Sequence, residues 1–134
     1  MNAAATPQFT IAALEDGTLD VDAFDHEAHV YVAWLYLEQF PLLDAIARFT
    51  SALQRLTARL GIPGKYHETV SLFFMLLIAD RRTSTKGKDW LSFHRNNGDL
   101  FCRKHSIINR YYSSGLLASD RARQSFVLPD RLTA

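Results

Sequence analysis

A long stripe of apolar residues between positions 42 and 60 is the feature that most constrains the fold of this chain. Its members recur at steps of three, four and one, which is the period of one face of an α-helix. The stripe consists of Leu42, Leu43, Ile46, Phe49, Leu53, Leu56 and Leu60. Charged side chains such as Asp44 and Arg55 lie largely off it. Pro41 suits the first turn of this helix, and Gly61 suits a left-handed residue that ends it.

Two more helical segments flank the stripe. An acidic cap at Asp20 or Asp22 begins the first segment, which extends to about Gln39. The third segment begins near Tyr66 and ends near Arg81, whose positive charge suits the C-terminal end of a helix. The chain therefore predicts three consecutive helices with short connections.

The rest of the chain predicts shorter helices and no strand. Residues 89–96 and 99–112 each carry apolar side chains after an aspartate, and no segment alternates convincingly between polar and apolar residues. We therefore predict an all-α protein with a three- or four-helix bundle core and a smaller C-terminal helical extension. Residues 1–18 are predicted to form a flexible N-terminal arm, and residues 19–134 a single helical domain.

Composition argues against several classes of protein. Fifteen Lys and Arg stand against fourteen Asp and Glu, so the net charge is only +1 and no nucleic-acid partner is expected. The single cysteine, Cys102, allows no intramolecular disulfide and no Cys-rich metal site. The longest strongly apolar run, residues 70–79, has about half the length of a membrane-spanning helix. We expect a cytoplasmic protein that has no membrane partner.

Chemically capable side chains occur at the starts of the first and third helical segments. His26 and His29 lie three positions apart, so they share one face of a helix. His67 and Glu68 open the third segment. In an antiparallel bundle the first and third helices run in the same direction, so their N-terminal ends lie at the same end of the molecule. The sequence therefore predicts that three imidazoles and a carboxylate converge on one site.

Such a site suits a single divalent transition metal. His26, His29 and His67 would be ligands, and Glu68, another carboxylate or water would complete the set. Zn, Fe, Cu, Ni and Mn all accept these ligands, so the identity of the metal stays open. The ion would polarise a substrate oxygen or lower the pKa of bound water. Without a metal, His67 would act as a general base beside Glu68 or Asp25.

Two known metal patterns do not fit these residues. The H-E-x-x-H spacing of zinc proteases needs one more residue between His26 and His29. The Glu-x-x-His pairs of di-iron bundles are absent from both segments, because neither Glu27 nor Glu68 precedes a histidine by three positions. Neither class is therefore expected.

Two functional hypotheses follow from these residues. The leading one is a small metal-dependent enzyme that acts on a small molecule, with hydrolytic and oxidative reactions both open. Its catalytic residues would be His67 and Glu68, and the hydroxyl groups of Tyr36 and Tyr66 would bind the substrate. The alternative is a non-catalytic helical binding or regulatory module with structural histidines. A pocket that all three imidazoles reach favours the enzyme, and rings bonded to carboxylates or backbone carbonyls favour the module. A homodimer is compatible with both.

Four segments resemble a group of small all-α bacterial proteins that have no assigned activity. They are FxHxxHVxxAWxYL from Phe24, GKYHET from Gly64, RYYS from Arg110 and FVLPDR from Phe126. The resemblance implies that residues 24–131 share one architecture with that group, and it implies no particular chemistry.

Overall fold

The computed structural model describes residues 9–85 and 87–131 of the chain. Every regular element in these ranges is helical, which confirms the predicted all-α class. The described α-helices are α1 (Ile11–Asp16), α2 (His26–Gln39), α3 (Leu42–Arg59), α4 (Glu68–Ser84), α5 (Trp90–Asn96), α6 (Ser114–Leu117) and α7 (Asp120–Gln124). Short 3₁₀ turns occupy Pro63–Lys65, Gly98–Phe101 and Ile107–Arg110. None of the described helices combines the length and the apolar character needed to cross a membrane.

The three long helices α2, α3 and α4 pack against one another and form the predicted bundle core. Helix α3 confirms the central part of the amphipathic stripe, since Phe49, Leu53 and Leu56 are buried. The residues at its two ends are exposed instead, namely Leu42, Leu43 and Leu60. Gly61 follows this helix with φ of +75°, the left-handed conformation expected of a glycine at a helix end. Helix α2 is enclosed by its neighbours, and Tyr36 is completely buried. The apolar patterns of the sequence thus become the contact faces of the bundle.

Caps shift the starts of two core helices from their predicted positions. The Asp25 side chain, rather than Asp20 or Asp22, caps α2 by accepting the Ala28 N–H at 3.0 Å. Helix α4 begins at Glu68, later than the predicted start near Tyr66, because the preceding histidine caps it. Because α4 begins only after His67, the side chain of His67 points back over the first turn of the helix.

Part of the predicted flexible arm, residues 1–18, is packed on the bundle. Helix α1 lies within this segment and begins after Thr10, whose hydroxyl oxygen caps its first turn. The side chains of Phe9 and Leu14 are buried, and burial of two large apolar side chains stabilises the packed position. The prediction for residues 1–8 lies outside the described residues.

The C-terminal extension packs over the start of α4. The helix predicted for residues 99–112 is wrong, because two 3₁₀ turns replace it and residues 102–106 between them contain no large apolar side chain. Helices α6 and α7 and an irregular segment, residues 126–131, complete the extension. Its own buried cluster consists of Ile108, Tyr112, Ala122 and Val127. The predicted smaller helical extension is therefore present, with shorter helices than the sequence suggested.

Candidate functional site

A cavity of about 460 Å³ lies between α2, α3 and α4, near the N-terminal ends of α2 and α4. This volume is within the range of small-molecule sites in proteins. Apolar side chains form most of its wall, among them Val30, Ala33, Phe49, Leu53, Phe74 and Ile78. The polar residues of the wall are Asp25, His26, His29, Lys65, Ser71 and Arg103. An apolar chamber with a few polar groups can hold a small molecule in one orientation.

His29 presents a hydrogen-bond acceptor at this cavity. Its Nδ1–H donates to the Asp25 carbonyl oxygen at 2.8 Å, and Phe24 stacks on the ring with 3.9 Å between ring centroids. Burial lowers the pKa of His29 and outweighs the opposing hydrogen bond to Asp25, so the ring is neutral near pH 7. A neutral ring protonated at Nδ1 carries a lone pair at Nε2. No described residue donates a hydrogen bond to that nitrogen.

His26 lies one helical turn before His29 and is held in a similar way. Its ring bonds through Nε2 to the Leu100 carbonyl oxygen at 2.7 Å, and its edge contacts the ring of Phe74. A carbonyl oxygen only accepts, so Nε2 carries a proton, and no described residue bonds Nδ1. The cavity wall therefore includes two imidazoles, each with one nitrogen bonded to the backbone and one nitrogen that no described residue bonds.

His67, the third predicted metal ligand, lies outside the cavity. Its Nδ1 accepts the Val70 N–H at 3.2 Å, and its Nε2–H donates to the Leu117 carbonyl oxygen at 2.7 Å. The ring therefore caps α4 and holds α6 at the same time. The backbone of His67 is extended, with φ of −131°, so its side chain folds back over the first turn. It does not continue the helical face that carries Val70 and Phe74 into the cavity.

The predicted catalytic carboxylate Glu68 pairs with the predicted substrate residue Tyr66. The Tyr66 hydroxyl donates to Glu68 Oε1 at 2.6 Å. Burial raises the pKa of Tyr66, and the bond to Glu68 raises it further, so the phenol stays protonated. Both residues line a separate polar cavity beside Arg123, which donates to the Gly64 carbonyl oxygen. This pair therefore does not meet the two imidazoles at the apolar cavity.

Tyr36, the other predicted substrate residue, connects two helices. Its hydroxyl donates to Glu15 Oε2 at 2.8 Å and so joins α2 to α1. Burial and the Glu15 carboxylate both raise the pKa of Tyr36. The residue is completely buried and is not part of the wall of the apolar cavity.

Two of the three predicted metal ligands thus meet at one cavity, and the third does not join them. Within residues 9–85 and 87–131 no group of three His, Cys, Asp or Glu side chains could hold a metal ion. The three rings instead bond to three different backbone carbonyls, those of Leu100, Asp25 and Leu117. The convergence of all three imidazoles is therefore not found, and metal-dependent chemistry stays a prediction.

Three polar residues of the cavity are not singled out by the sequence patterns. Ser71 carries a signal, because it is the polar member of the apolar run 70–79 and shares a helical face with Phe74. Lys65 lies in the 3₁₀ turn before α4, and an exposed lysine is by itself no signal of a site. Arg103 has no local signal, since its place at the cavity depends on the path of the chain after α5.

No protein-family model, no curated protein and no solved structure matches this chain.

Proposed function

We propose that this chain is a small helical binding protein whose ligand, a small molecule, occupies the cavity between α2, α3 and α4. The observation that carries the proposal is the pair of backbone-anchored imidazoles, His26 and His29, on a mostly apolar wall. Each leaves one acceptor nitrogen for a ligand. Small-molecule sites typically combine a mostly apolar surface with a few oriented polar groups.

The hydrogen bonds of the two rings favour recognition because they orient the acceptors in advance. The Leu100 carbonyl holds one ring and the Asp25 carbonyl holds the other, so both tautomers are set by the fold. A ligand that donates to these nitrogens does not have to immobilise either ring. Groups ordered before binding reduce the entropy lost on association.

The surroundings of the predicted catalytic pair favour binding over catalysis. A general base needs a nitrogen or oxygen that can reach the proton of its substrate. Both nitrogens of His67 are already bonded, and Glu68 accepts the Tyr66 hydroxyl at a different cavity. The proposal thus corresponds to the binding module that the sequence offered as its alternative, with two histidines serving the ligand as well as the fold.

A fluorescent apolar dye tests whether the cavity binds ligands. N-phenylnaphthylamine would be titrated into the wild-type chain and into the Ser71→Leu variant, in which the added isobutyl group occupies cavity space. We expect saturable binding of about one dye per chain. We expect an affinity lower by about tenfold or more in Ser71→Leu, because the side chain and the dye compete for the same volume.

Ser51→Leu is the matched control for this experiment. Ser51 is also half-buried on a core helix, α3, but it does not line the cavity. Its variant should bind the dye like the wild type, and circular dichroism should show the same helicity in all three chains. Absence of saturable binding, or equal affinity in Ser71→Leu and Ser51→Leu, would contradict the proposal.

Elemental analysis tests the metal-dependent alternative on the same preparations. The purified, untagged chain would be compared with a His26→Ala/His29→Ala variant and with His67→Ala. Metal retained only when His26 and His29 are present would place an ion at the cavity. Metal lost in both variants would restore the three-histidine site of the sequence hypothesis and would contradict the present proposal.

A further inference from the structure

The polar groups of the cavity differ in burial and in charge. His29 is half-buried, and its Nε2 receives no hydrogen bond from the described residues because the ring donates through Nδ1 to the backbone. Lys65 and Arg103 line the same cavity but are exposed residues. The imidazole is thus less exposed than the two cations that line the same cavity.

The half-buried acceptor of His29 selects a ligand that carries a donor. An unpaired polar group in an apolar site loses hydration without gaining a hydrogen bond when a purely apolar ligand binds. A hydroxyl group satisfies His29 Nε2, whereas a carboxylate placed there would repel the lone pair. Sites built to hydrogen-bond a hydroxyl group discriminate strongly against the analogue that lacks it.

The two cations select an anion at the other end of the ligand. Neither Lys65 nor Arg103 forms an ion pair with a carboxylate in the described part of the chain. Asp25 is the acidic residue of the wall, and one of its carboxylate oxygens is used to cap α2. Two cations and one carboxylate leave a formal charge of about +1 at the cavity, which matches a monoanion better than a dianion.

We propose that the ligand of this cavity is an apolar hydroxy acid, with its hydroxyl group on His29 and its carboxylate between Lys65 and Arg103. This inference rests on the proposed binding function and adds the class of the ligand to it. The apolar body of the molecule lies against Phe49, Leu53 and Phe74. Arginine suits a carboxylate because its planar guanidinium donates two parallel hydrogen bonds.

Calorimetric titration with three matched probes tests the two polar contacts separately. The probes are para-hydroxyphenylbutanoate, phenylbutanoate without the hydroxyl group, and para-hydroxyphenylbutanamide without the charge. We expect the hydroxy acid to bind most tightly, with about a tenfold loss for each of the other two, as one hydrogen bond or one exposed ion pair would give. Equal affinity for all three probes would overturn the proposal.

Two cavity variants assign each preference to its residues. In His29→Phe the advantage of the hydroxyl group should disappear while that of the carboxylate remains. In Lys65→Gln/Arg103→Gln the carboxylate should lose its advantage while the hydroxyl group keeps it. The matched control is Arg95→Gln/Arg121→Gln, which removes the same charge from exposed positions that do not line the cavity. An equal effect of the two charge-removing variants would overturn the assignment to Lys65 and Arg103.

The dye separates this inference from the proposed function on which it rests. If N-phenylnaphthylamine binds and is blocked by Ser71→Leu but the three probes bind equally, the hydroxy-acid class is wrong and the binding function stands. If neither the dye nor the probes bind, both proposals are wrong. Because the probe series is measured on the wild-type chain, the result does not depend on the folding of any cavity variant.

Discussion

Histidines at the starts of α2 and α4 use their ring nitrogens in different ways. His26 and His29 of α2 each use one ring nitrogen on the backbone and keep an acceptor at a cavity. His67, which precedes α4, uses both nitrogens within the protein. The comparison shows that the position of a histidine relative to the helix start decides its role. A ring inside the first turn lies on a helix face, whereas a ring at the cap folds back on the backbone.

The two regions also differ in how completely their polar groups are bonded. Next to His67, the buried Thr69 hydroxyl lies 2.7 Å from the Ala122 carbonyl oxygen and 2.8 Å from that of Ser125, and it accepts the Val127 N–H. This cluster joins α4 to the C-terminal extension, and its hydrogen-bonding groups already have partners within the protein. At the start of α2, in contrast, each ring has one nitrogen that no described residue bonds. We therefore propose that the region around His67 stabilises the fold and that the region around His26 and His29 recognises a ligand.

The largest expected effect comes from breaking the bonded region. Thr69→Val keeps the shape of the side chain but removes a hydroxyl that serves three backbone groups, and Thr69 is completely buried. We expect the free energy of unfolding to fall by about 3 kcal/mol, because buried backbone groups lose their partner. Urea denaturation followed by circular dichroism measures this change.

Thr57→Val is the matched control for that substitution. The Thr57 hydroxyl bonds to the Leu53 carbonyl oxygen within its own helix, and this carbonyl already accepts a helical hydrogen bond. We expect a change of less than about 1 kcal/mol. Equal losses in the two variants would contradict the special role of Thr69.

The next effect concerns the cap itself. His67→Ala removes the cap of α4 and the bond to the Leu117 carbonyl, so we expect a loss of about 2 kcal/mol in the free energy of unfolding. His67→Asn restores a side chain that can cap the helix and should lose only about half as much. Dye affinity at the cavity should stay the same in both variants. A loss of dye binding in His67→Asn would show that the two regions are not separate.

A smaller effect is expected from the pH dependence of stability. Burial lowers the folded-state pKa of His29 below its ordinary value of 6.5, so the unfolded chain binds a proton more readily than the folded chain. The contribution of the neutral His29 ring to the free energy of unfolding is therefore complete above pH 6.5. It is lost as the pH falls from 6.5 towards the folded-state pKa. Urea midpoints at pH about 7.5 and about 5 should differ less in His29→Leu than in the wild type.

A control variant separates this titration from that of a surface carboxylate. The bidentate hydrogen bond from Arg81 lowers the pKa of Asp99, so this group titrates below the range used for His29. Asp99→Asn should therefore keep the wild-type difference between the two pH values. If His29→Leu also kept it in full, the assignment of the acid sensitivity to His29 would be wrong.

The smallest expected effect concerns which ring nitrogen of each histidine carries the proton, and it is observed by spectroscopy rather than as a change in the free energy of unfolding. Long-range proton–nitrogen correlation spectra near neutral pH should show the proton on Nδ1 of His29 and on Nε2 of His26 and His67. A proton on Nε2 of His29 would remove the acceptor from the cavity and contradict the proposed hydroxyl contact.

The sequence predicted the helical class and part of the candidate site. The stripe on α3 and the glycine after it are local patterns; the glycine and the central part of the stripe are confirmed. The parallel direction of α2 and α4 correctly indicated that their N-terminal ends meet, since His26 and His29 line one cavity with Ser71. His67 does not join the cavity because α4 begins about two residues later than predicted. A helix starting near Tyr66 would have kept His67 on the face of Ser71, whereas the observed start makes it a cap.

What the sequence by itself determined is the set of helices and the faces that they bury, because apolar periodicity acts within a few turns of one segment. Only the tertiary structure decided which groups bond across the chain. The partner of His67 is the Leu117 carbonyl in the C-terminal extension, and the charged residues of the cavity wall include Arg103 from a connecting segment. The physical reason is that a side-chain hydrogen bond depends on a partner's position in space. That position is set when all the helices pack, and no local pattern records it.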